Sequence, residues 1–295
     1  MTMAAEPLIN ALTVDVEDYF QVSAFAPHIA RSGWDQRECR VERNVDRILA
    51  MLDRHQIRAT FFALGWIAQR YPSLIRRIAQ QGHEVASHGY GHQRVGDLGP
   101  DAFGEDVIRA KATLEDVTGV EVIGYRAPSF SIDARSLWAF DRLVGAGYRY
   151  SSSLYPIRHD HYGMPEAPRF AHPVRDGLLE VPATTVQLFS RNVPSSGGGY
   201  FRLLPYAASR WMLRRVNAVD RKPAVFYFHP WEIDADQPRI AGIGNKTRFR
   251  HYVNIGRMER RLERLLGDFR WGRMDEIFLR KRPPSSGPTG RVSWS

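Results

Sequence analysis

Apolar residues in this chain fall into two kinds of run, and the two kinds alternate. Residues 8–16 form a nearly continuous apolar stretch ending in the acidic group Asp15, Glu17 and Asp18, the pattern of a strand buried on both faces. Val45, Ile48, Leu49 and Leu52 then follow i, i+3, i+4, i+7 spacing, which predicts an amphipathic helix. Residues 58–64 predict a second buried strand. Pro72 opens a helix with Leu74, Ile75 and Ile78 on one face, and Gly82 is placed to end it. Residues 84–87 predict a short strand entering a glycine-broken loop. Phe103, Val107, Ala110, Leu114 and Val117 predict a third helix, and residues 121–125 another strand. Leu137, Phe140, Leu143 and Val144 predict a fourth helix, closed by Gly145 and Gly147. Residues 148–152, 178–181 and 224–229 complete the predicted strands.

Strands that alternate with helices of this length predict an α/β fold with a parallel sheet and helices outside it. The arithmetic favours a distorted (β/α) barrel of about seven units, with an open sheet as the alternative. In such a barrel the chemistry sits on loops that follow the strands' C-terminal ends. Asp15 to Asp18, His88 to His92, Arg126 and His229 all fall there. Residues 155–173 and 191–200 break the alternation and read as long loops of the kind that shape substrate sites. No internal repeat is visible. Residues 1–280 read as one domain with a C-terminal helical extension, and residues 281–295, rich in Pro, Ser and Gly, as a disordered basic tail.

Composition changes this picture little. Of 295 residues, 43% are hydrophobic and 25% charged, which excludes a fibrous or wholly disordered chain. No apolar run approaches the roughly 18 residues that span a bilayer, and residues 1–10 lack the basic stretch and apolar core of a secretory signal. The single cysteine, Cys39, has no internal partner for a disulfide, so a cytoplasmic location is expected. The net charge of +9 comes without a recognition-helix, zinc-finger or RNA-binding pattern, so nucleic acid is not an expected partner. Much of the excess lies at Arg257, Arg260, Arg261, Arg264, Arg270 and Arg273 and in the tail. It is read as a solvated face plus a basic tail, with weak attraction to an anionic membrane surface as the alternative. Nothing in the sequence sets the oligomeric state.

The polar residues at the strand ends suggest metal-assisted hydrolysis. His88 and His92 flank Gly89-Tyr90-Gly91, and either a helix or a tight loop would let both imidazoles converge. Two imidazoles and a carboxylate are a common donor set of hydrolytic zinc sites. Alternation along a strand puts Asp15 and Glu17 on the same side. Two carboxylates held together repel unless a cation neutralises them, so one can hold a divalent metal while the other serves as a base. Arg126, in Tyr125-Arg126-Ala127-Pro128-Ser129-Phe130, is placed to orient a carboxylate, and Pro128 stiffens a turn whose N–H can face an oxyanion. His229 closes the apolar run Phe226-Tyr227-Phe228. Tyr19, Phe20, Tyr200 and Trp231 are candidates for stacking on sugar faces, with core or rim packing as the commoner role.

Together these segments, in this order, resemble the polysaccharide deacetylase family, the NodB-like proteins of carbohydrate esterase family 4. The resemblance covers roughly residues 10–235. Thr13-Val14-Asp15 is similar to the family's Thr-Phe-Asp-Asp, His88-Gly89-Tyr90-Gly91-His92 to His-Ser/Thr-x-x-His, Arg126-Ala127-Pro128-Ser129 to Arg-x-Pro-Tyr, and Tyr227-Phe228-His229 loosely to Leu-x-His. It implies a NodB-like barrel that hydrolyses N-acetyl groups of glycans with one divalent metal ion, zinc foremost. By the same resemblance Asp15 is the general base, His88 and His92 are metal ligands, Arg126 orients Asp15, and His229 is the general acid. A backbone N–H near Ser129 completes the oxyanion site, and Tyr19, Ser129 and Trp231 are expected to touch substrate.

Three departures stand out. The family's adjacent acidic pair is replaced by Asp15-Val16-Glu17-Asp18, so the third metal ligand is Glu17, by same-side geometry, or else Asp18. Gly89 and Ser129 replace a hydroxyl residue and a tyrosine. The aspartate that supports the family's catalytic histidine has no counterpart near residues 150–153. The pattern looks most like the subgroup found beside exopolysaccharide and exosortase loci, where the substrate is a sugar polymer or a lipid-linked precursor. An amidase acting on a small cyclic or linear amide, or an inert glycan-binding barrel, is the alternative.

Overall fold

The computed structural model describes residues 8–160 and 162–279. The tail predicted over residues 281–295 lies outside the described residues. Eleven strands are described: β1 Ile9–Val16, β2 Thr60–Ala63, β3 Glu84–Ser87, β4 Gly124–Tyr125, β5 Tyr150–Ser151, β6 His172–Arg175, β7 Leu178–Glu180, β8 Thr185–Leu188, β9 Arg191–Pro194, β10 Val225–Phe228 and β11 Arg270–Gly272. The main sheet runs β10-β1-β2-β3-β4-β5-β7-β6, with β11 also on β1. Every pairing in it is parallel except β6 with β7. β1 is the axis of the fold: Ala11–Val14 pairs with β10, and Thr13–Val16 pairs with β2 on the other side. Its run is apolar because both of its faces are covered.

No ladder joins β6 to β10 among the described residues, so the sheet is an interrupted rather than a fully closed (β/α) barrel. A side-chain hydrogen bond bridges the interruption, with Val225 N donating to Thr184 Oγ1 at 2.6 Å.

The helices pack where their apolar spacing directs. In α1 (Val41–Arg54), Val45, Ile48, Leu49 and Leu52 are all buried. A short α2 (Gly65–Arg70) leads into α3 (Pro72–Gln80), which starts on its proline and stops before Gly82 at φ 80°. Next, α4 (Val95–Thr118) buries Phe103, Val107, Ala110 and Leu114. Its first turn is set off by Gly99 and Pro100, which is why the helical spacing becomes visible only from Phe103. In α5 (Ala139–Gly145) Phe140 and Leu143 are buried, whereas Val144 is exposed and Leu137 precedes the helix.

The structure corrects several boundaries. The strand expected over residues 121–125 shortens to β4, because Val122 N donates to Glu115 Oε1 at 2.9 Å instead of to a ladder. Residues 191–200 are not a loop: β9 forms a hairpin with β8, and α6 (Gly198–Leu203) follows at once. The turn uses Phe189 and Ser190 at φ 47° and 60°, without the Asn-Gly signature that marks such turns in a sequence. After α6 come α7 (Tyr206–Arg215), α8 (Asn245–Tyr252), α9 (Met258–Asp268) and α10 (Met274–Phe278). Arg261, counted above as solvated, caps the end of α6 by donating to the carbonyls of Phe201, Arg202 and Leu204. No helix among the described residues is long and apolar enough to cross a membrane.

Candidate active site and metal centre

The parallel ladder brings the ends of β1, β3, β4 and β10 to one rim, and each delivers a polar side chain there. Asp15 is the penultimate residue of β1, Glu17 follows β1, His88 follows β3, Arg126 follows β4, and His229 follows β10. Asp15, Glu17, His88, His92 and His229 line one cavity of about 350 Å³.

Arg126 is fully buried and its guanidinium makes four hydrogen bonds. It donates to Asp15 Oδ1 at 2.6 Å, to Thr13 Oγ1 at 2.8 Å, and to the carbonyl and hydroxyl of Ser152 at 3.2 and 2.9 Å. Its plane lies 4.0 Å from the Phe62 ring centre, which favours a delocalised cation there. Asp15 is thereby fixed through Oδ1, leaving Oδ2 toward the cavity 3.9 Å from His229 Nε2. Removing one partner of a buried ion pair costs about 3–5 kcal/mol. Arg126→Ala is therefore expected to lose about that much stability in chemical denaturation, where a surface arginine would lose almost none.

Glu17, His88 and His92 form the only group of three or more such donors among the described residues whose ligand atoms lie within 4.8 Å of one another. Glu17 Oε2 is buried and 2.7 Å from His92 Nε2, yet it receives no hydrogen bond. The carboxylate oxygen and the imidazole nitrogen are close enough to share one cation. His88 Nδ1 is 2.8 Å from the Arg126 carbonyl, so Nδ1 carries the proton and the Nε2 lone pair is free for a metal. Burial and the neighbouring His92 charge push the His88 imidazole down to about 4, partly offset by the Asp15 and Glu17 charges. It is neutral at physiological pH, as a ligand must be. Burial pushes the Glu17 carboxyl up, but the charges of His92 and His229 outweigh it and hold the group well below the usual carboxylate range. The donor set fits a divalent metal.

Asp18 does not join this group. Its oxygens accept from the backbone N–H of Tyr19, Arg40 and Val41, so it ties the first turn after β1 to the start of α1. Gly89, where the family pattern has a hydroxyl residue, has φ 76°, and a Cβ there would lie 2.9 Å from Asp106 Oδ2. Asp106 in turn accepts from Tyr90 N at 2.9 Å. That carboxylate shapes the histidine loop and leaves no room for a side chain. Ser129 lines the cavity at φ 55°, with Oγ 2.7 Å from Ser23 Oγ.

Two expected substrate contacts are corrected. Tyr19 is buried in a side cluster against Phe20, with ring centres 5.2 Å apart, and does not line the cavity; Phe20 is buried with it. Trp231 lines the cavity but is only 6% exposed. Its indole N–H donates to Glu17 Oε1 at 3.1 Å, and its ring stacks on His251 at 4.2 Å and on His229 at 5.2 Å. It aims a metal-type donor instead of offering a face to a sugar. Tyr200 does line the cavity.

The support for His229, unassigned from the sequence, is Glu232. Its Oε2 takes both the backbone N–H of His229 at 3.0 Å and His229 Nδ1 at 3.1 Å. The His-x-x-Glu spacing is that of a capping box, a signal the sequence carries at His229-Pro230-Trp231-Glu232. Arg202, from α6, donates to Glu232 Oε1 at 2.9 Å and to the carbonyls of His251 and Val253; no local pattern announces it. Gly198 makes room for the pair, since a Cβ there would overlap the Glu232 carboxylate. Burial lowers the His229 pKa, but the charges of Glu17, Glu232 and Asp15 more than reverse this and raise it to about 9. These carboxylates favour the protonated ring, the state a general acid needs. Glu232→Gln removes one of these charges, so the basic limb of a pH–rate profile should move down by about 1–3 units; an unmoved limb would release Glu232 from this role.

A parallel α/β chain with a two-histidine, one-carboxylate cluster at the strand ends, flanked by a buried Asp–Arg pair and a Glu-supported histidine, defines a class of hydrolase-like sites. Comparison places it more closely. Residues 32–150 match the family described as Polysaccharide deacetylase, and residues 152–279 match a domain of unknown function, DUF3473. The stretch from residue 32 to residue 150 is thus similar to the polysaccharide deacetylases. It is 31% identical over 97 residues to a peptidoglycan-N-acetylglucosamine deacetylase of Bacillus cereus, covering 32% of this chain and 35% of that protein. It is 34% identical over 113 residues to a peptidoglycan deacetylase-like protein of Gibberella zeae, covering 37% and 32%. The matches thus span about a third of these relatives' length. Among solved structures, a Mycobacterium smegmatis protein assigned to the polysaccharide deacetylases superposes with TM-score 0.58 at 23% identity, covering 93% of both chains. An allantoinase superposes with TM-score 0.57 at 15% identity, covering 93% of this chain and 90% of that one. These two likenesses establish the fold.

Proposed function

We propose that this chain is a metal-dependent hydrolase that removes N-acetyl groups from a sugar polymer or lipid-linked glycan precursor in exopolysaccharide metabolism. The observation that carries the reading is the convergence, in one cavity, of the Glu17–His88–His92 cluster with Asp15 and His229 on the same rim. Zinc is the metal assigned to the cluster, since two imidazoles and a carboxylate leave coordination positions open. When bound, such a cation polarises the amide carbonyl and lowers the pKa of a water.

The chain's own groups handle the protons. Asp15, anchored through Oδ1 by Arg126, accepts the proton of the attacking water on Oδ2. Ser129 holds a backbone N–H at the cavity wall for the oxygen on which charge develops. His229 Nε2 gives its proton to the amide nitrogen as the C–N bond breaks, releasing a free amine and acetate. Glu232 keeps the His229 ring oriented through Nδ1 throughout.

Acetate release from a panel of N-acetylated glycans tests this reading, with metal-loaded wild type set against the Asp15→Asn variant. Asp15-dependent acetate release is expected. Hydrolysis of small cyclic amides with no release from any glycan would replace the reading by that of an amidase.

A further inference from the structure

The mouth of the catalytic cavity combines exposed apolar side chains with positive charge. Nine large hydrophobic residues are exposed among those described, and two of them, Leu203 at 47% and Phe249 at 58%, also line this cavity. Val22, Ala24 and Val253 continue the apolar wall inward. The exposed side chains of Leu203 and Phe249, continued by Val22, Ala24 and Val253, suit a hydrocarbon chain.

Beside this apolar lip stands a cationic helix. α8 carries Lys246, Arg248 and Arg250, all exposed, and Arg250 and Thr247 line the cavity. Lys246 and Arg250 both pair with Asp160, at 2.6 and 3.2 Å, so two cations of this helix share one carboxylate. Among the described residues, the carboxylates that line the cavity are Asp15, Glu17 and Glu232 at its floor, each held by groups of the site. The mouth therefore offers an apolar surface and a surplus of positive charge next to the catalytic groups.

We propose that the substrate is an acetamido sugar joined through a phosphate-type linkage to an apolar chain. The sugar enters the catalytic floor, the anionic linkage meets Arg248 and Arg250, and the chain lies on Leu203 and Phe249. This rests on the deacetylase reading and narrows its substrate class; the reaction remains hydrolysis of the N-acetyl group.

The test compares kcat/KM of the metal-loaded enzyme on a prenyl-diphosphate-linked N-acetylglucosamine and on a chitooligosaccharide. The lipid-linked sugar should be favoured by about tenfold or more, the factor expected from burying one apolar side chain. In Phe249→Ser/Arg248→Glu, both sites being exposed, that ratio should fall by a similar factor, through KM. Farnesyl diphosphate should compete better than inorganic diphosphate, which can act only by charge or by drawing away metal. A chitooligosaccharide turned over as well as the lipid-linked sugar, or a ratio unmoved in the double variant, would overturn the inference while leaving the deacetylase reading intact. Turnover of neither substrate would count against the deacetylase reading itself, and the inference would fall with it.

Discussion

Asp15→Asn is expected to lower kcat by about 10²–10⁴-fold, the range for removing a general base, while the metal remains bound. The separation of these two effects comes from geometry. Asp15 is held by Arg126 through Oδ1 and lies outside the Glu17–His88–His92 group. Asparagine keeps the shape of the side chain and can still accept from Arg126, but it cannot take a proton from water. Metal content by atomic absorption and acetate release on the same preparation check both halves. Loss of metal together with activity would make Asp15 a ligand; retained activity would remove it from proton transfer.

The second large effect is expected at Glu17. Replacement by Gln keeps the length of the side chain and its place beside Trp231 Nε1, but removes the negative charge that faces His92. Changing a partner of a metal ligand costs about 10–100-fold in affinity, so changing the carboxylate itself should cost about 100-fold or more. A readout independent of turnover follows by linkage. A cation at 100 times its Kd should stabilise wild type by about 2.7 kcal/mol, and the same concentration should leave Glu17→Gln almost unchanged. Equal metal-induced shifts in thermal melts of the two proteins would place the metal elsewhere.

Much of this centre was legible before the fold, for a physical reason. Buried parallel strands must be apolar throughout, so Asp15 and Glu17 in or beside β1, and His229 at the end of Phe226-Tyr227-Phe228, stand out as polar groups where burial is costly. The barrel rule then puts strand ends on one rim. The period of two also placed Glu17 beside Asp15, and the structure shows why Asp18 is not the alternative: its oxygens are filled by backbone donors at the start of α1.

What escaped the sequence was contact between distant segments. Arg202 reaches Glu232 across 30 positions, and Trp231 reaches Glu17 across 214; neither spacing follows a local period. Tyr19, a candidate for stacking on a sugar with packing as the commoner role, is folded inward by the turn that Asp18 caps. The hairpin of β8 and β9 was missed because its turn is Phe189-Ser190.

The contacts also show what the segment matched by the domain of unknown function does for the centre. It holds His229, Glu232, Arg202 and Trp231, while Asp15 and Glu17 precede the polysaccharide deacetylase match, which holds His88, His92 and Arg126. The rim is assembled from all three parts of the chain through the β1–β10 and β1–β2 ladders.

The most direct test of the metal-centre account is anomalous diffraction at the zinc edge from crystals of the zinc-loaded protein. The account predicts one strong peak roughly 2.0–2.2 Å from a Glu17 carboxylate oxygen, His88 Nε2 and His92 Nε2. A peak elsewhere, or none at this cluster in crystals of protein that still releases acetate, would contradict it.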